Sequence, residues 1–338
     1  VAVPAVDAPE SRVRRHLALV GPTASGKSAL ALDIARRIPD IEIVSVDSMQ
    51  VYRGMDVGTG KATLTERTEV PHHLIDLVEP NQHFSLAEFQ AAAAQAISAI
   101  EERGRRALLV GGTGLYLQAI VDQLDLPGQF PDVRTDLEAT TETATLFDRL
   151  EQMDPLAASR TEPGNRRRIV RALEVTIGAG RPFSSFGPGL GAFPPTRFAM
   201  FGIWLPRSVG AQRIHQRVHQ MMSGGWPDEV VALRRRQLSV TAAQALGYKE
   251  LLALDDAELL TLDPRQQAPA EASFQAHPVV AEIIARTRSF ARRQRVWFRR
   301  DPRIAWYGTG DDPARLLGAL LRDCEQNRLG AEGGANFT

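Results

Sequence analysis

A single cysteine, Cys324, stands in the 338 residues of the chain. An intrachain disulfide is therefore excluded, as is a cysteine-rich zinc site, and the usage fits a reducing compartment. Charge of one sign is lacking too: 40 basic side chains meet 40 acidic ones. A nucleic-acid partner would have to be met by local basic clusters rather than by a general positive field. No apolar run approaches the ~18 residues that a membrane-spanning helix requires. Residues 1–15 lack the apolar stretch of a secretory signal. These absences predict a cytoplasmic protein without membrane contact, with disordered tails at 1–15 and 330–338. What is present is a globular balance, 43% hydrophobic and 24% charged, long enough for one large domain or two modest ones.

Regular structure is predicted to begin at His16-Leu17-Ala18-Leu19-Val20, a short apolar run that reads as a buried parallel strand. From Ser28 to Ile38, Leu30, Ile34 and Ile38 recur on one helical face. A second strand is predicted at Ile41 to Val46, a helix at Ala87 to Glu102 and a third strand at Ala107 to Val110. This alternation predicts an α/β fold, a P-loop NTPase-like doubly wound parallel sheet. From about Leu126 the text turns helical, and Phe183 to Arg197 is a Gly- and Pro-rich linker. The reading is a helical insertion domain at 126–197 between two parts of the core, 16–125 and 198–310. The second part includes a basic helix from Val279 to Arg300. Pro264 to Pro278 lacks periodicity and is expected to be mobile.

Gly21-Pro22-Thr23-Ala24-Ser25-Gly26-Lys27-Ser28 fits the P-loop pattern and lies between a strand and a helix, as that pattern demands. Glycines let backbone N–H groups close around phosphate oxygens, and the helix N-terminus favours anions. Lys27 adds positive charge, and the Ser28 hydroxyl is a candidate ligand for Mg²⁺. NTPases of this fold usually carry an Asp at the end of a later strand. Here that strand runs into Gly111-Gly112-Thr113-Gly114, which weakens an ATPase reading and leaves a different diphosphate open as substrate. Asp47 and Thr113 fall at carboxyl ends of predicted strands, where ligands of such sheets bind. Asp47 also suits a turn or cap, and the glycines around Thr113 suggest a close approach to the backbone.

Around Asp47 the sequence reads Asp47-Ser48-Met49-Gln50-Val51-Tyr52-Arg53-Gly54-Met55-Asp56-Val57-Gly58-Thr59-Gly60-Lys61. With the P-loop, Pro71 to Asp76, Gly111 to Tyr116, Arg171 to Val175, Arg213 to Met221, Gly247 to Glu250 and Arg292 to Arg295, it resembles the bacterial-type tRNA dimethylallyltransferases. The resemblance runs from about Leu17 to Trp306. It implies transfer of a dimethylallyl group from dimethylallyl diphosphate to N6 of the adenosine at tRNA position 37, with release of diphosphate. In that family's pattern Asp47 is the general base, Thr113 hydrogen-bonds the bridging oxygen, and Arg217 stabilises the leaving diphosphate together with Lys27 and Mg²⁺ at Ser28. Whether displacement is concerted or passes through an allyl cation stays open.

The same resemblance implies contacts to the tRNA anticodon stem-loop from Asp47, Ser48, Met49, Gln50 and Thr113, and from Arg134. Further contacts are implied for Arg167, Arg168, Ile169, Val170 and Arg171, and for Gln244, Ala245, Leu246, Gly247, Tyr248 and Lys249. Arg167 and Arg171, four residues apart, would share a helix face, although an arginine run is also what a solvated face looks like. Seven arginines between Arg286 and Arg300 are expected to face RNA, while Ile283, Phe290 and Trp297 recur every seven residues and are expected in the core. His215 and His219 have a zinc-compatible spacing but no third ligand. His72 and His73 read as a loop or packing pair. The protein is expected to be a monomer. The competing readings are a P-loop small-molecule kinase with Asp47 as base, and a non-enzymatic RNA-binding module.

Overall fold

The computed structural model describes residues 15–262 and 277–327. The segments expected to be disordered or mobile, 1–15, 264–278 and 330–338, lie outside the described residues except for Arg15, His277 and Pro278.

Six strands form one parallel sheet in the order β3-β2-β4-β1-β5-β6. They are β1 His16–Val20, β2 Ile41–Val46, β3 His72–His73, β4 Arg106–Gly111, β5 Phe198–Trp204 and β6 Ile304–Gly308. The central strand β1 pairs Leu19 with Val110 of β4 on one side and with Phe201 of β5 on the other. Because all neighbours run parallel, the carboxyl ends of β1, β2 and β4 share one edge, and Gly21, Asp47 and Gly112 emerge there together. β1, β2 and β4 are buried along their whole length, as strands covered on both faces must be. One face packs the Lys27–Arg37 helix through Leu30 and Ile34. The other packs the Leu86–Glu102 helix through Phe89, Ala93 and Ile97, together with residues of the Pro278–Phe298 helix.

Local signals account for most boundaries. Ser85 and Glu88 form a reciprocal capping box at the start of the Leu86–Glu102 helix. Gly104 follows it with φ +69°, a conformation that suits glycine. Two strands lie outside the sequence reading. His72 and His73 are not a loop but β3, paired to Ile43 and Val44, with His73 Nε2 2.6 Å from the Glu42 carboxylate. β6 is an edge strand whose residues alternate too little to be read, yet Ile304 is buried and pairs with Met200. Beyond it the Leu317–Gln326 helix docks Leu320 and Cys324 onto the core. The sheet ends at Gly308, within the expected limit near 310, and the Leu317–Gln326 helix lies beyond it.

The contacts divide the described residues into two compact units, one of those up to 121 with those from 195 onward, the other Asp122–Pro194. The second unit is helical: Pro131–Ala139, Thr143–Met153, Pro155–Ser159 and Arg166–Ala179. Its own core holds Leu137, Leu146, Leu150, Ile169, Val170 and Leu173. Two buried carboxylates organise it. Asp154 accepts from the Ala157 and Ser184 N–H groups and the Ser184 hydroxyl. Glu174 accepts from the Phe130 N–H and the Arg171 guanidinium. Among the described residues, no helix is long and apolar enough to cross a membrane.

Candidate active site

At the end of β1 the chain turns sharply. Ala24 adopts φ +60° and Gly26 φ +86°, and Ser25 N–H donates to Pro22 O. A left-handed alanine costs of order 1–3 kcal/mol and persists where the surroundings impose it. Gly26 is the N-cap of the Lys27–Arg37 helix and brings no capping side chain. The first-turn N–H groups therefore have no side-chain acceptor from the cap, the condition an anion needs at a helix N-terminus.

A cavity of about 740 Å³ opens over this loop, lined among others by Thr23, Lys27, Ser28, Asp47, Thr113 and Arg217. Asp47 stands just past β2, and its Oδ1 accepts the Met49 N–H at 2.9 Å. The turn role and the cavity role of Asp47 are thus compatible: one oxygen shapes the backbone of a residue that lines the site. Burial, then the charge of Arg217, push the Lys27 ammonium down to about 8, with Asp47 opposing the shift. Burial also lowers the Arg217 guanidinium, again opposed by Asp47. Two cations crowd one carboxylate here, an arrangement that gains from an added anion.

The glycines after β4 do mark a close approach to the backbone, as their clustering suggests. A Cβ on Gly111 would lie 2.0 Å from Val46 O, on Gly112 2.3 Å from Gln294 Nε2, and on Gly114 2.1 Å from the Trp297 ring. What approaches this backbone is the protein itself. Gln294 accepts the Thr23 N–H and donates to Gly112 O, each at 2.8 Å, tying the P-loop to the Thr113 turn.

Ser48, Met49, Gln50, Gln244, Ala245, Leu246, Tyr248 and Lys249 line the same cavity. Some of them are committed to the protein. Gln50 accepts from Ser45 and donates to Thr59 O and Gly60 O. The Tyr248 ring is buried, and its hydroxyl donates to Glu229. Gly247, at φ +85°, meets the Trp226 ring, where a Cβ would lie 2.0 Å away. Gly247 is therefore a packing position rather than a lining one.

In the helical unit the expected contact set divides. Ile169 and Val170 are 0% and 2% exposed, so they build that unit's core and are not surface contacts. Arg171 pairs with Glu174 and donates to Pro127 O. Arg134 pairs with Glu138 and Glu174. Arg167 and Arg168 are exposed, and neither guanidinium has an ion-pair partner among the described residues.

The Pro278–Phe298 helix divides similarly. Arg286 pairs with Glu250 and Glu282, and Arg295 donates to Leu205 O and lies over Trp204. Arg286 and Arg293 line the cavity. Phe290 lines it too and is only partly buried, a correction to its expected core position; Ile283 also lines the cavity but is fully buried in the core. Glu229, Trp226 and Gln294 were not singled out in the sequence. Gln294 carried a signal: it falls on the apolar face of its helix with Ile283, Thr287, Ala291 and Phe298, and a buried polar group needs partners. Glu229 carried none.

The chain matches the family model described as IPP transferase over residues 50–301 and that described as isopentenyl transferase over 14–78. It is 43% identical over 303 residues to a tRNA dimethylallyltransferase of Paenarthrobacter aurescens, covering 88% of this chain and 92% of that protein. A tRNA dimethylallyltransferase of Bifidobacterium animalis is also 43% identical, over 88% of this chain and 85% of the relative. The crystal structure of the tRNA isopentenylpyrophosphate transferase of Bacillus halodurans aligns over 93% of this chain and 96% of that one. Its TM-score is 0.63 at 35% identity. A eukaryotic dimethylallyltransferase acting on tRNA, 23% identical with a TM-score of 0.72 over 94% of this chain and 81% of its own, shares the fold.

Proposed function

The chain belongs to the tRNA dimethylallyltransferase family, enzymes that transfer a dimethylallyl group to tRNA, and from that premise we propose how its residues divide the reaction. The carrying observation is that Thr23, Lys27 and Ser28 of the P-loop line one cavity with Asp47, Thr113 and Arg217. The donor is dimethylallyl diphosphate, with its diphosphate in the P-loop against Lys27 and Arg217. The acceptor is N6 of the adenosine at position 37 of tRNA, beside the anticodon. That base has to leave the stack to enter a cavity.

An exocyclic adenine amine is a weak nucleophile because its lone pair is delocalised into the ring. Asp47 takes the N6 proton as the bond to the prenyl carbon forms. The carbon–oxygen bond to diphosphate breaks, and the negative charge that develops is met by Lys27, Arg217 and the N–H groups of the loop. Thr113 hydrogen-bonds the bridging oxygen as it departs. Among the described residues no three His, Cys, Asp or Glu side chains gather into a metal cage. The Ser28 hydroxyl lines the cavity beside Lys27. So sparse an oxygen donor set suits Mg²⁺, which keeps its waters and binds largely through substrate phosphates. Held at Ser28, it would supply further charge neutralisation for diphosphate.

The test is mass spectrometry of tRNA nucleosides after incubation with labelled dimethylallyl diphosphate and Mg²⁺. A labelled prenyl group on the adenosine at position 37 is expected. Label elsewhere, or none, sinks the assignment. The kinase reading would use the same P-loop and Asp47, and the family match is what favours prenyl transfer over it.

A further inference from the structure

Glu229 lies in the first turn of the Trp226–Arg234 helix and does not line the cavity. Its carboxylate nevertheless gathers four donors. It accepts the N–H groups of Asp56 at 2.7 Å, Val57 at 2.7 Å and Gly58 at 3.2 Å, and the Tyr248 hydroxyl at 2.5 Å. Three successive amides closing on one anion form a nest, and hydrogen bonds to an ionised acceptor are about twice as strong as neutral ones. Burial, then the Glu229 charge, raise the Tyr248 phenol well above its usual range. The phenol keeps its proton and remains the donor of this pair.

The segment so held is a tight turn. Gly60 N–H donates to Val57 O and Lys61 N–H to Asp56 O, both at 3.0 Å. Its carbonyls reach the site: Thr59 O accepts from Arg217 Nη2 at 3.4 Å and from Gln50 Nε2 at 3.2 Å. The turn is closely packed against its neighbours. A Cβ on Gly58 would lie 2.1 Å from Trp226 Nε1, and one on Gly60 would lie 2.2 Å from Arg217 Nη2.

We propose that Glu229 is a positioning residue for diphosphate binding: it fixes the 56–60 turn, and the turn holds the Arg217 guanidinium in its working position. This rests on the reading of Arg217 as a diphosphate-facing cation. Nothing in it requires Glu229 to touch a substrate.

The experiment is a double-mutant cycle on the full chain with Glu229→Gln, Arg217→Ala and both, reading inorganic diphosphate binding in Mg²⁺ by calorimetry, with steady-state kinetics alongside. Gln keeps the size of Glu but places an N–H₂ among N–H donors. Glu229→Gln is expected to weaken diphosphate about tenfold and to raise KM for dimethylallyl diphosphate likewise, with KM for tRNA within about twofold. The double variant should bind diphosphate no more weakly than Arg217→Ala alone. A general structural defect would instead add to the Arg217 loss and would move both KM values. Wild-type affinity in Glu229→Gln, or additive losses, overturns the proposal while leaving the diphosphate role of Arg217 standing. Unchanged affinity in Arg217→Ala overturns that role, and the proposal with it. If Glu229→Gln does not fold, Glu229→Asp runs the same cycle by the same criteria, since its carboxylate is one methylene short of all four donors.

Discussion

The N–H of Thr23 is held at 2.8 Å by Oε1 of Gln294, 271 residues further along the chain. The same amide donates through Nε2 to Gly112 O. One side chain of the Pro278–Phe298 helix thus fixes the spacing between the phosphate loop and the turn that carries Thr113. It also takes up the Thr23 N–H, so the loop amides left for the proposed diphosphate are those nearer the helix start.

Gln294→Leu is expected to lower stability by about 2–4 kcal/mol, because it leaves a buried donor and a buried acceptor unpaired. Diphosphate binding should weaken as well, since the loop loses its strut. Gln294→Glu keeps the acceptor toward Thr23 but sets a carboxylate against Gly112 O, and should be no better. Thermal denaturation and diphosphate titration check both. A Gln294→Leu variant with wild-type melting and wild-type affinity would show that the bridge carries no weight.

The ammonium of Lys27, pushed down to about 8 by burial and Arg217, gives diphosphate binding a pH dependence with a definite sign. A bound diphosphate favours the charged form and raises that value. Below about pH 8 free and bound protein both hold the proton, so Lys27 adds no slope of its own to the ionisation of diphosphate. Above it the free protein must take up a proton to bind, and affinity falls by up to tenfold per pH unit. Calorimetry in buffers of different ionisation enthalpy should show proton uptake near pH 8.5 to 9 (about one proton at most). Lys27→Arg, which cannot deprotonate there, should flatten the profile. A wild-type affinity constant from about pH 7 to 9.5 would contradict it.

Asp47→Asn should lose prenyl transfer by roughly 10²- to 10⁴-fold, the usual cost of a missing general base. Asn retains an oxygen for the Met49 N–H now bound at 2.9 Å, so the turn should survive and tRNA should still bind. Single-turnover rates and tRNA binding separate the two. A rate within about threefold of wild type would falsify the role of Asp47 as base.

What the sequence made legible is the part encoded locally. Gly21 to Ser28 announces a tight turn between a strand and a helix, and that turn is found with Ala24 and Gly26 at positive φ. β1, β2 and β4 are legible because strands buried on both faces are unbroken apolar runs. β3 and β6 are not: one has two residues, and the other sits at the sheet edge, where only Ile304 is buried. Glu229 was illegible for another reason. Its three backbone donors are 171–173 residues away along the chain, and an acidic residue in a helix's first turn is ordinary. The glycines at 111–114 signalled a close approach without saying by what, and the answer was Val46, Gln294 and Trp297.

The arginines of the Arg166–Ala179 helix should separate into two kinds of mutant. Arg171 is paired to the buried Glu174 and caps Pro127 O. Arg171→Ala leaves that carboxylate short of a partner, so its effect should be lowered stability of the helical unit. Arg167 and Arg168 are exposed and unpaired among the described residues, so their removal should leave melting unchanged. If they meet tRNA phosphates, each contact releases counterions, and log K falls with log salt by roughly 0.7 to 0.9 per phosphate neutralised. Arg167→Ala with Arg168→Ala should therefore weaken tRNA binding and flatten the salt slope by between one and two such increments. Diphosphate affinity should stay at the wild-type value, because the P-loop belongs to the other unit. The measurement is a salt titration of tRNA affinity for wild type, the double variant and Arg171→Ala, with melting curves for all three. Coincident lines for wild type and the double variant would mean that these two side chains are only a solvated face, and tRNA recognition would have to be sought on the cavity rim at Arg286 and Arg293.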